Sequence, residues 1–428
     1  MGAVVKYLYY NWFKVSFGVF ILLIMPYMMR ATNQNHPLLG SQNEIVLPFD
    51  YHQGFIIVDI IFHKKIPLKF ILDTGAENTV LLKKQYAEIL KIPYSKRIKL
   101  LGSDMNRDVF ARVCNSIYLQ LVNTQTIKSN IIVLEEDMVF LEEFIGKPID
   151  GILGAEFFRG LILKINYKRM EITVSDPNTY NYKKLNKHQS FDIEIINSKP
   201  YLNCKTSVLP GKETVSKLLL DTGASLTTMF HNNTDSMLML PKQIIKGNLG
   251  KGLGGEINGF VGKVHKLNLG TFEFNNLVSS FQDLEDIVLK ADKVIRNGLI
   301  GNHLLERFDV VLDLHHSKLY LKAHKNYNKD FEYDKSGITL YAFGEHLNEY
   351  YIRHIVEGSP ADVAGLQPGD IIKKVGFWSY RWLNINKINK KLAGKVGKEI
   401  TFKVLRNGQK LSKTIILRDL LDDKRIEN

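Results

Sequence analysis

A short motif that occurs twice is the feature of this 428-residue sequence that most constrains its fold. Segment 71–76 reads ILDTGA, and segment 219–224, which begins 148 residues later, reads LLDTGA. Each copy is followed, at nearly the same distance, by two apolar residues and a glycine, ILG at 152–154 and LIG at 299–301. A repeat with matched internal spacing predicts two similar structural units in one chain.

Apolar residues at alternate positions extend the match beyond each glycine. Segments 161–174 and 308–321 align, and each predicts two strands joined by a short polar turn. A further apolar run at 55–62 also favours a strand. The pattern therefore predicts two mainly β units, at 45–176 and 190–323, separated from each other and from the C-terminal region by polar linkers.

The C-terminal region, residues 337–418, has a different pattern. Ser359 and Pro360 form a helix start, with Ser359 as the N-cap. Segment 384–392 predicts an amphipathic helix, and two apolar runs around an Asn-Gly turn predict a terminal hairpin over 399–417. We expect a small α+β domain here.

The repeated aspartates, Asp73 and Asp221, are the candidate catalytic pair. A twofold repeat brings equivalent residues together at its axis. Two carboxylates at hydrogen-bonding distance share one proton, because both cannot comfortably be ionised there. One can then take a proton from water while the other donates a proton to a carbonyl oxygen, which is the requirement for hydrolysing a peptide without a metal or a covalent nucleophile.

The residues after each aspartate suit a supporting role. Threonine hydroxyls can hydrogen-bond across the axis, and glycine lets the backbone approach a carboxylate closely. The supporting residues predicted in the two loops are Thr74, Gly75, Ala76, Thr222, Gly223 and Ala224.

These two D-T-G-A motifs resemble the active-site loops of aspartic peptidases, and the trailing alanine is closer to the retropepsin-like branch than to pepsin. The resemblance covers about residues 45–323. It implies a bilobal acid-protease β-barrel fold with two pseudo-twofold-related lobes, and a polypeptide substrate in the cleft between them. Because one chain carries both motifs, dimerisation is not required for the active site, and we expect no cofactor and no metal.

A glycine-rich segment at 247–262 resembles the flap that these enzymes close over substrate. Its predicted centre is Gly252, Leu253, Gly254 and Gly255. The equivalent stretch in the first unit, 100–104, has a single glycine, so unequal contributions of the two lobes are expected. An ordinary flexible loop is the alternative interpretation.

Segment 358–372 contains GSPA, AGL and GDII and resembles a PDZ domain of the bacterial, protease-associated kind. The resemblance implies a groove in which a peptide adds as a strand. Segment 343–351 lacks the usual glycine-rich carboxylate-binding pattern, so capture of a C-terminal carboxylate is not implied.

The N-terminal segment, residues 1–30, is strongly apolar. Lys6 and Lys14 precede or enter the apolar run, and only Arg30 closes it, which favours a cytoplasmic N-terminus and an exported remainder. A membrane anchor and a cleaved signal remain alternatives, beside a buried soluble helix. We expect a protein of the cell envelope, on the exported side of the membrane, either anchored or secreted after cleavage.

Charge and cysteine content restrict the other classes of partner. The net charge is +13, but the lysines are scattered and no nucleic-acid-binding motif occurs, so no nucleic acid partner is expected. Two cysteines, Cys114 and Cys204, cannot form a disulfide framework, although a single bridge between them stays open. The sequence thus predicts an aspartic endopeptidase with a PDZ module, and the alternative is a catalytically silent peptide-binding scaffold.

Overall fold

The computed structural model describes residues 36–101, 108–284 and 296–422, and this part of the chain is mainly β, as predicted. The predicted anchor or signal segment, 1–30, lies outside the described residues. Within the described ranges, no helix combines the length and the apolar character needed to cross a membrane.

The first repeated unit, residues 45–176, is called the first half below. It contains an eight-stranded sheet with the order β2-β3-β4-β9-β5-β8-β7-β6, in which β3 also pairs with β7. Its elements, together with three strands of a second sheet, are β1 (Glu44–Pro48), β2 (Asp50–His52), β3 (Phe55–Phe62), β4 (Ile66–Asp73), β5 (Val80–Leu81), α1 (Gln85–Ile89), β6 (Lys96–Leu101), β7 (Asp108–Leu121), β8 (Ile127–Leu134), α2 (Val139–Ile145), β9 (Gly151–Gly154), β10 (Ile162–Asn166) and β11 (Glu171–Ser175).

The second repeated unit, residues 190–323, is called the second half below. It repeats this topology strand for strand, as β13-β14-β15-β20-β16-β19-β18-β17 with an added β14–β18 pairing. Its elements are β12 (Gln189–Asp192), β13 (Glu194–Ile196), β14 (Lys199–Ser207), β15 (Glu213–Leu220), β16 (Thr228–Phe230), β17 (Ile244–Gly252), β18 (Gly255–Leu269), β19 (Phe272–Phe281), β20 (Gly298–Ile300), α3 (Asn302–Leu305), β21 (Phe308–Asp313) and β22 (Lys318–Ala323).

A six-stranded sheet joins the two halves in the order β1-β11-β10-β21-β22-β12. The join is the antiparallel pair β10–β21, in which Leu163 lies opposite Leu312 and Ile165 opposite Val310. These four side chains are buried, so the alternation seen in the sequence serves a core that both halves share.

The C-terminal region forms its own sheet, β23-β24-β25-β27-β28, with β26 on β25 and a separate apolar core. The N-cap predicted at Ser359 accepts a hydrogen bond from the Asp362 amide. The elements are β23 (Ile338–Phe343), β24 (Glu349–Ile355), α4 (Pro360–Val363), β25 (Ile371–Val375), β26 (Trp378–Ser379), α5 (Ile385–Leu392), β27 (Glu399–Arg406) and β28 (Gln409–Ile416).

The two cysteines lie in different halves, Cys114 on β7 and Cys204 on β14. Both are buried and free, so no bridge links them in this structure. Burial raises the pKa of the Cys114 thiol to about 11, which keeps it protonated and unreactive at ordinary pH.

Candidate active site

The two Asp-Thr-Gly loops meet where β4 and β15 end. The amide nitrogen of Thr74 donates to Thr222 Oγ1 at 3.0 Å, and the amide nitrogen of Thr222 donates to Thr74 Oγ1 at 3.0 Å. Each hydroxyl then donates to a carbonyl of the opposite strand, Thr74 to Leu220 at 2.7 Å and Thr222 to Leu72 at 2.9 Å. Both threonines are buried, so these reciprocal bonds fix the two loops about a local twofold axis.

Glycine at the third position lets each loop approach the opposite aspartate. A Cβ atom on Gly75 would lie 2.5 Å from Asp221 Cγ, and one on Gly223 would lie 2.3 Å from Asp73 Cγ. The two amide nitrogens instead donate to their own aspartates, at 2.7 and 2.8 Å. The carboxyl groups of Asp73 and Asp221 therefore face each other and hydrogen-bond directly.

The apolar-apolar-Gly triplets lie beside these loops as parallel strands. β9 pairs with β4, so that Gly154 lies opposite Asp73, and β20 pairs with β15 up to Leu220 and Ile300. A Cβ on Gly154 would come within 2.5 Å of the backbone of Asn78, so only glycine fits there. This close packing accounts for the matched spacing of motif and triplet.

Removal from bulk water raises the pKa of both carboxyl groups. The pKa of Asp221 rises well above its ordinary value, first by this desolvation and then by the negative charge of Asp73. Asp73 is stabilised as an anion by two amide donors, since Ala76 N also donates to its Oδ1 at 2.9 Å. The equivalent Ala224 N donates to the Asp221 backbone carbonyl instead. The pair thus favours an ionised Asp73 and a protonated Asp221.

A buried asparagine, which sequence analysis missed, supports the second loop. Asn302 Nδ2 donates to the carbonyl of Thr222 at 2.5 Å and to that of Gly54 at 2.8 Å, and its Oδ1 accepts a hydrogen bond from Tyr167 at 2.6 Å. Its side chain therefore ties the loop to the first half of the chain. The only sequence signal is its place directly after the LIG triplet, where the first copy has Ala155.

The aspartates lie in a cavity of about 490 Å³ between the two halves. The predicted residues Gly75, Ala76, Gly223 and Ala224 line it, whereas Thr74 and Thr222 lie beneath it. Apolar side chains from both halves form much of the walls, among them Phe55, Ile71, Leu141, Phe144, Ile152, Leu219, Leu226, Met229, Leu249, Ile257 and Leu299, and the second half also contributes polar and basic side chains. Both carboxyl groups therefore lie in a mainly apolar cavity that residues of both halves enclose.

The glycine-rich segment forms the hairpin β17–β18, in which Gly252 pairs with Gly255. Gly252 and Leu253 line the cavity, and Leu253 packs against the apolar cluster of the first half. The hairpin therefore extends from the second half across the cleft. Part of the corresponding first-half stretch, 100–104, lies outside the described residues.

The C-terminal domain contacts both the hairpin and the cleft wall. Arg353 on β24 donates through Nε and Nη2 to Glu256 Oε1, at 3.0 and 2.8 Å, and His354 Nε2 lies 3.2 Å from Glu256 Oε2. Phe144 of α2, which lines the cavity, packs edge-on against Tyr341 of β23, with ring centroids 5.8 Å apart. The start of strand β18 and the end of helix α2 thus both contact this domain.

Comparison with known proteins gives a family match in the second half. A family model described as aspartyl protease matches residues 207–304, which include Asp221 and the LIG triplet. The chain is also 34% identical over 106 residues to a probable CtpA-like serine protease of Staphylococcus saprophyticus subsp. saprophyticus. That match covers 25% of this chain and 21% of the relative, so the chain spans about a fifth of the relative's length.

Among solved structures, the basic 7S globulin of soybean matches 66% of this chain and 95% of its own, with 10% identity and a TM-score of 0.38. In sequence, the chain is thus similar to proteases, and the aspartyl protease match covers only the second copy of the motif.

Proposed function

We propose that the protein is an aspartic endopeptidase in which Asp73 and Asp221 activate a water molecule. One observation carries the proposal: two repeated loops bring two desolvated, hydrogen-bonded carboxyl groups together in a cavity large enough for a peptide. The aspartyl protease match over 207–304 supports the same reaction class. The twofold contact is internal to the chain, so the proposed site is complete without a second copy.

The unequal environments of the carboxyl groups define their roles in the proposed reaction. Ionised Asp73 takes a proton from water as the oxygen attacks the peptide carbonyl carbon, and Asp221 gives its proton to the carbonyl oxygen. The resulting tetrahedral diol collapses as the proton held by Asp73 passes to the leaving nitrogen and the C–N bond breaks. The diol returns a proton to Asp221, and both carboxyl groups regain their starting states.

Mapping of new peptide termini tests this proposal. We expect the purified chain to cleave a library of denatured-protein peptides, and a statine-type inhibitor to abolish the new termini, because it mimics the tetrahedral diol. Binding of library peptides without any cleavage would instead support the catalytically silent scaffold.

The pH dependence follows from the shared proton. Only the singly protonated pair is active, so activity falls when rising pH removes the proton from Asp221. Desolvation and the charge of Asp73 raise the pKa of Asp221, which moves this limb toward neutrality. Neither Ala76 nor Ala224 offers a hydroxyl that would lower a carboxyl pKa. We expect an optimum at about pH 5–6.5, measured as kcat/KM.

Serine at positions 76 and 224 provides the matched variant for the pH profile. A hydroxyl donor to the ionised form should lower the upper apparent pKa and move the alkaline limb downward. A wild-type maximum at about pH 3, with activity lost by about pH 5, would show that alanine at these two positions does not keep the upper apparent pKa high.

We propose that the C-terminal domain is PDZ-like and stabilises the closed hairpin of the same chain. The support is its strand order, its N-capped helix α4 and its contacts with Glu256 and Phe144. Its edge strand β23 and helix α5 border the groove in which a peptide would add. A Cβ on Gly146 would lie 3.0 Å from Ile385 Cγ2 on α5, so the segment after α2 already occupies one end of that groove.

Replacement of Arg353, which forms an ion pair with Glu256 of the hairpin, tests the role of the C-terminal domain. Because Arg353 is 43% exposed, we expect Arg353→Ala to raise KM by at most about fivefold while kcat changes little. Arg381→Ala, an exposed arginine of the same domain, is the control. The exchanged pair Arg353→Glu with Glu256→Arg should restore KM, and an unchanged KM in Arg353→Ala would show that the ion pair does not position the hairpin.

We propose that residues 1–30 hold the protein at the membrane with the peptidase on the exported side. In that case the mature protein sediments with membranes and resists extraction by carbonate. A soluble mature protein that begins after Met29 would establish cleavage instead.

A further inference from the structure

The two walls of the cleft differ in chemistry at positions that the internal twofold makes equivalent. The registers of β3 with β4 and of β14 with β15 place Phe55 and Lys199 at corresponding positions, two residues before the equivalent pairs Ile57–Ile71 and Tyr201–Leu219. Both side chains line the cavity. A large apolar ring on one side of the dyad is thus matched by an ammonium group on the other.

Three more pairs of equivalent residues also differ in polarity between the two halves. The first-half members are buried in an apolar cluster, and the second-half members are polar or basic and line the cavity. The pairs are Leu82 with His231, Leu134 with Gln282, and Ile149 with Arg296. The backbone supports the last pair directly, since Asp150 N donates to Lys69 O as Asn297 N donates to Lys217 O, both at 2.8 Å.

Two cations, Lys199 and Arg296, lie on this wall. Within the described ranges, neither Lys199 nor Arg296 lies in an ion pair, although both are half-buried. The charges of Lys199 and Arg296 act on Asp73 and Asp221 respectively, and each partly opposes the rise in pKa that desolvation causes. Partly desolvated cations without a counter-charge favour an anionic occupant.

His231 adds a polar but uncharged group. Burial and the charge of Arg296 lower the pKa of His231 to about 3, so the ring is neutral wherever the dyad works. Its Nδ1 lies 3.2 Å from the carbonyl of Gln282, and its buried Nε2 has no hydrogen-bond partner in the described part of the chain. This wall therefore carries two positive charges and an unused hydrogen-bonding atom.

We propose that the second-half wall binds an acidic side chain, aspartate or glutamate, next to the scissile bond, while the first-half wall binds an apolar side chain on the other side of that bond. This specificity rests on the proposed peptidase function. A carboxylate between Lys199 and Arg296 forms charge-assisted hydrogen bonds and neutralises both cations. Phe55 and the apolar cluster around it offer only a hydrophobic surface, which selects by size.

Cleavage-site profiling of the full chain tests the inference. Among peptides of a proteome-derived library, we expect an apolar residue on one side of the cut bond and about tenfold enrichment of Asp and Glu on the other. The best peptide is then resynthesised with Gln for Glu. We expect kcat/KM for the Glu peptide to exceed that for the Gln peptide by about tenfold or more.

Single removal of each cation separates charge recognition from packing. In Lys199→Met and Arg296→Met the Glu-to-Gln preference should fall to about twofold or less, because methionine keeps much of the side-chain length without the charge. Lys205→Met, on the same strand but exposed, should keep the wild-type preference. In Lys199→Met the acid limb of the pH profile should also move to higher pH, since Asp73 loses a stabilising charge.

The outcomes of these experiments are distinguishable. Cleavage without acidic enrichment, or a Glu-to-Gln preference that survives both substitutions, overturns the acidic subsite and leaves the peptidase standing. An absence of any cleavage by the wild-type chain overturns the proposed function, and the inference with it.

Discussion

Asparagine at position 73 or 221 is expected to reduce kcat/KM for peptide cleavage by at least about 10³-fold. An amide cannot take a proton from water in place of Asp73, and it cannot release an acidic proton to the carbonyl oxygen in place of Asp221. Asn has nearly the same shape as Asp, and its Oδ1 can still accept the hydrogen bond from Gly75 or Gly223. The fold should therefore survive, as circular dichroism and the melting temperature would report.

Asp192→Asn is the matched control for these two variants. Asp192 lies on β12 with a side chain 89% exposed, and it forms an ion pair with Lys318. Its replacement should leave kcat/KM within about twofold of wild type, because an exposed ion pair contributes little. Near-wild-type turnover in either Asp73→Asn or Asp221→Asn would show that the two aspartates are not the catalytic pair.

Alanine at position 75 is expected to lower kcat/KM by about 10²-fold or more. The added methyl would lie 2.5 Å from Asp221 Cγ and must displace one of the two facing carboxyl groups. Backbone strain does not contribute, since Gly75 is not among the glycines with positive φ. The loss should appear mainly in kcat, because the displaced atoms are those that react.

Gly247→Ala is the control for the glycine prediction. Gly247 lies on β17, also without a positive φ, and a Cβ there would have no other atom within 4 Å. We expect this variant to keep the wild-type kcat, the parameter that Gly75→Ala lowers. Equal activity of Gly75→Ala and wild type would show that the close approach of the two loops is not needed for turnover.

The repeated motif predicts much of the site because its residues act within one short loop. Threonine can act only through its hydroxyl, and glycine there only through its small size, so residue type and spacing indicate the crossed bonds between Thr74 and Thr222. The parallel strands at 152–154 and 299–301 follow from the matched distance between motif and triplet.

Strand partners could not be predicted in the same way. Alternation shows which face of a strand is buried but not which strand lies beside it. Strands β10 and β21 show equivalent patterns in the two copies, yet they pair with each other and so form the sheet that joins the halves. Only the folded chain shows this pairing.

Single long-range contacts leave no pattern in a sequence. Asn302 is one asparagine after a short triplet, and it reaches Gly54, 248 residues away, and Thr222. The contact between Glu256 and Arg353 spans 97 residues and joins two regions that were predicted separately. Sequence analysis also missed the basic wall of the cleft. The positions of Lys199 and Arg296 on that wall are visible only once the strand pairings of the two halves are known.

The most direct test of the central claim is the turnover of one cleaved peptide by wild type and Asp221→Asn, each assayed with a statine-type inhibitor and with a serine-directed phosphonate. We expect the statine compound to abolish wild-type turnover, the phosphonate to have no effect, and Asp221→Asn to retain at most about a thousandth of the wild-type kcat/KM. Full turnover by Asp221→Asn, or loss of wild-type activity to the phosphonate, would show that the two aspartates are not the catalytic pair.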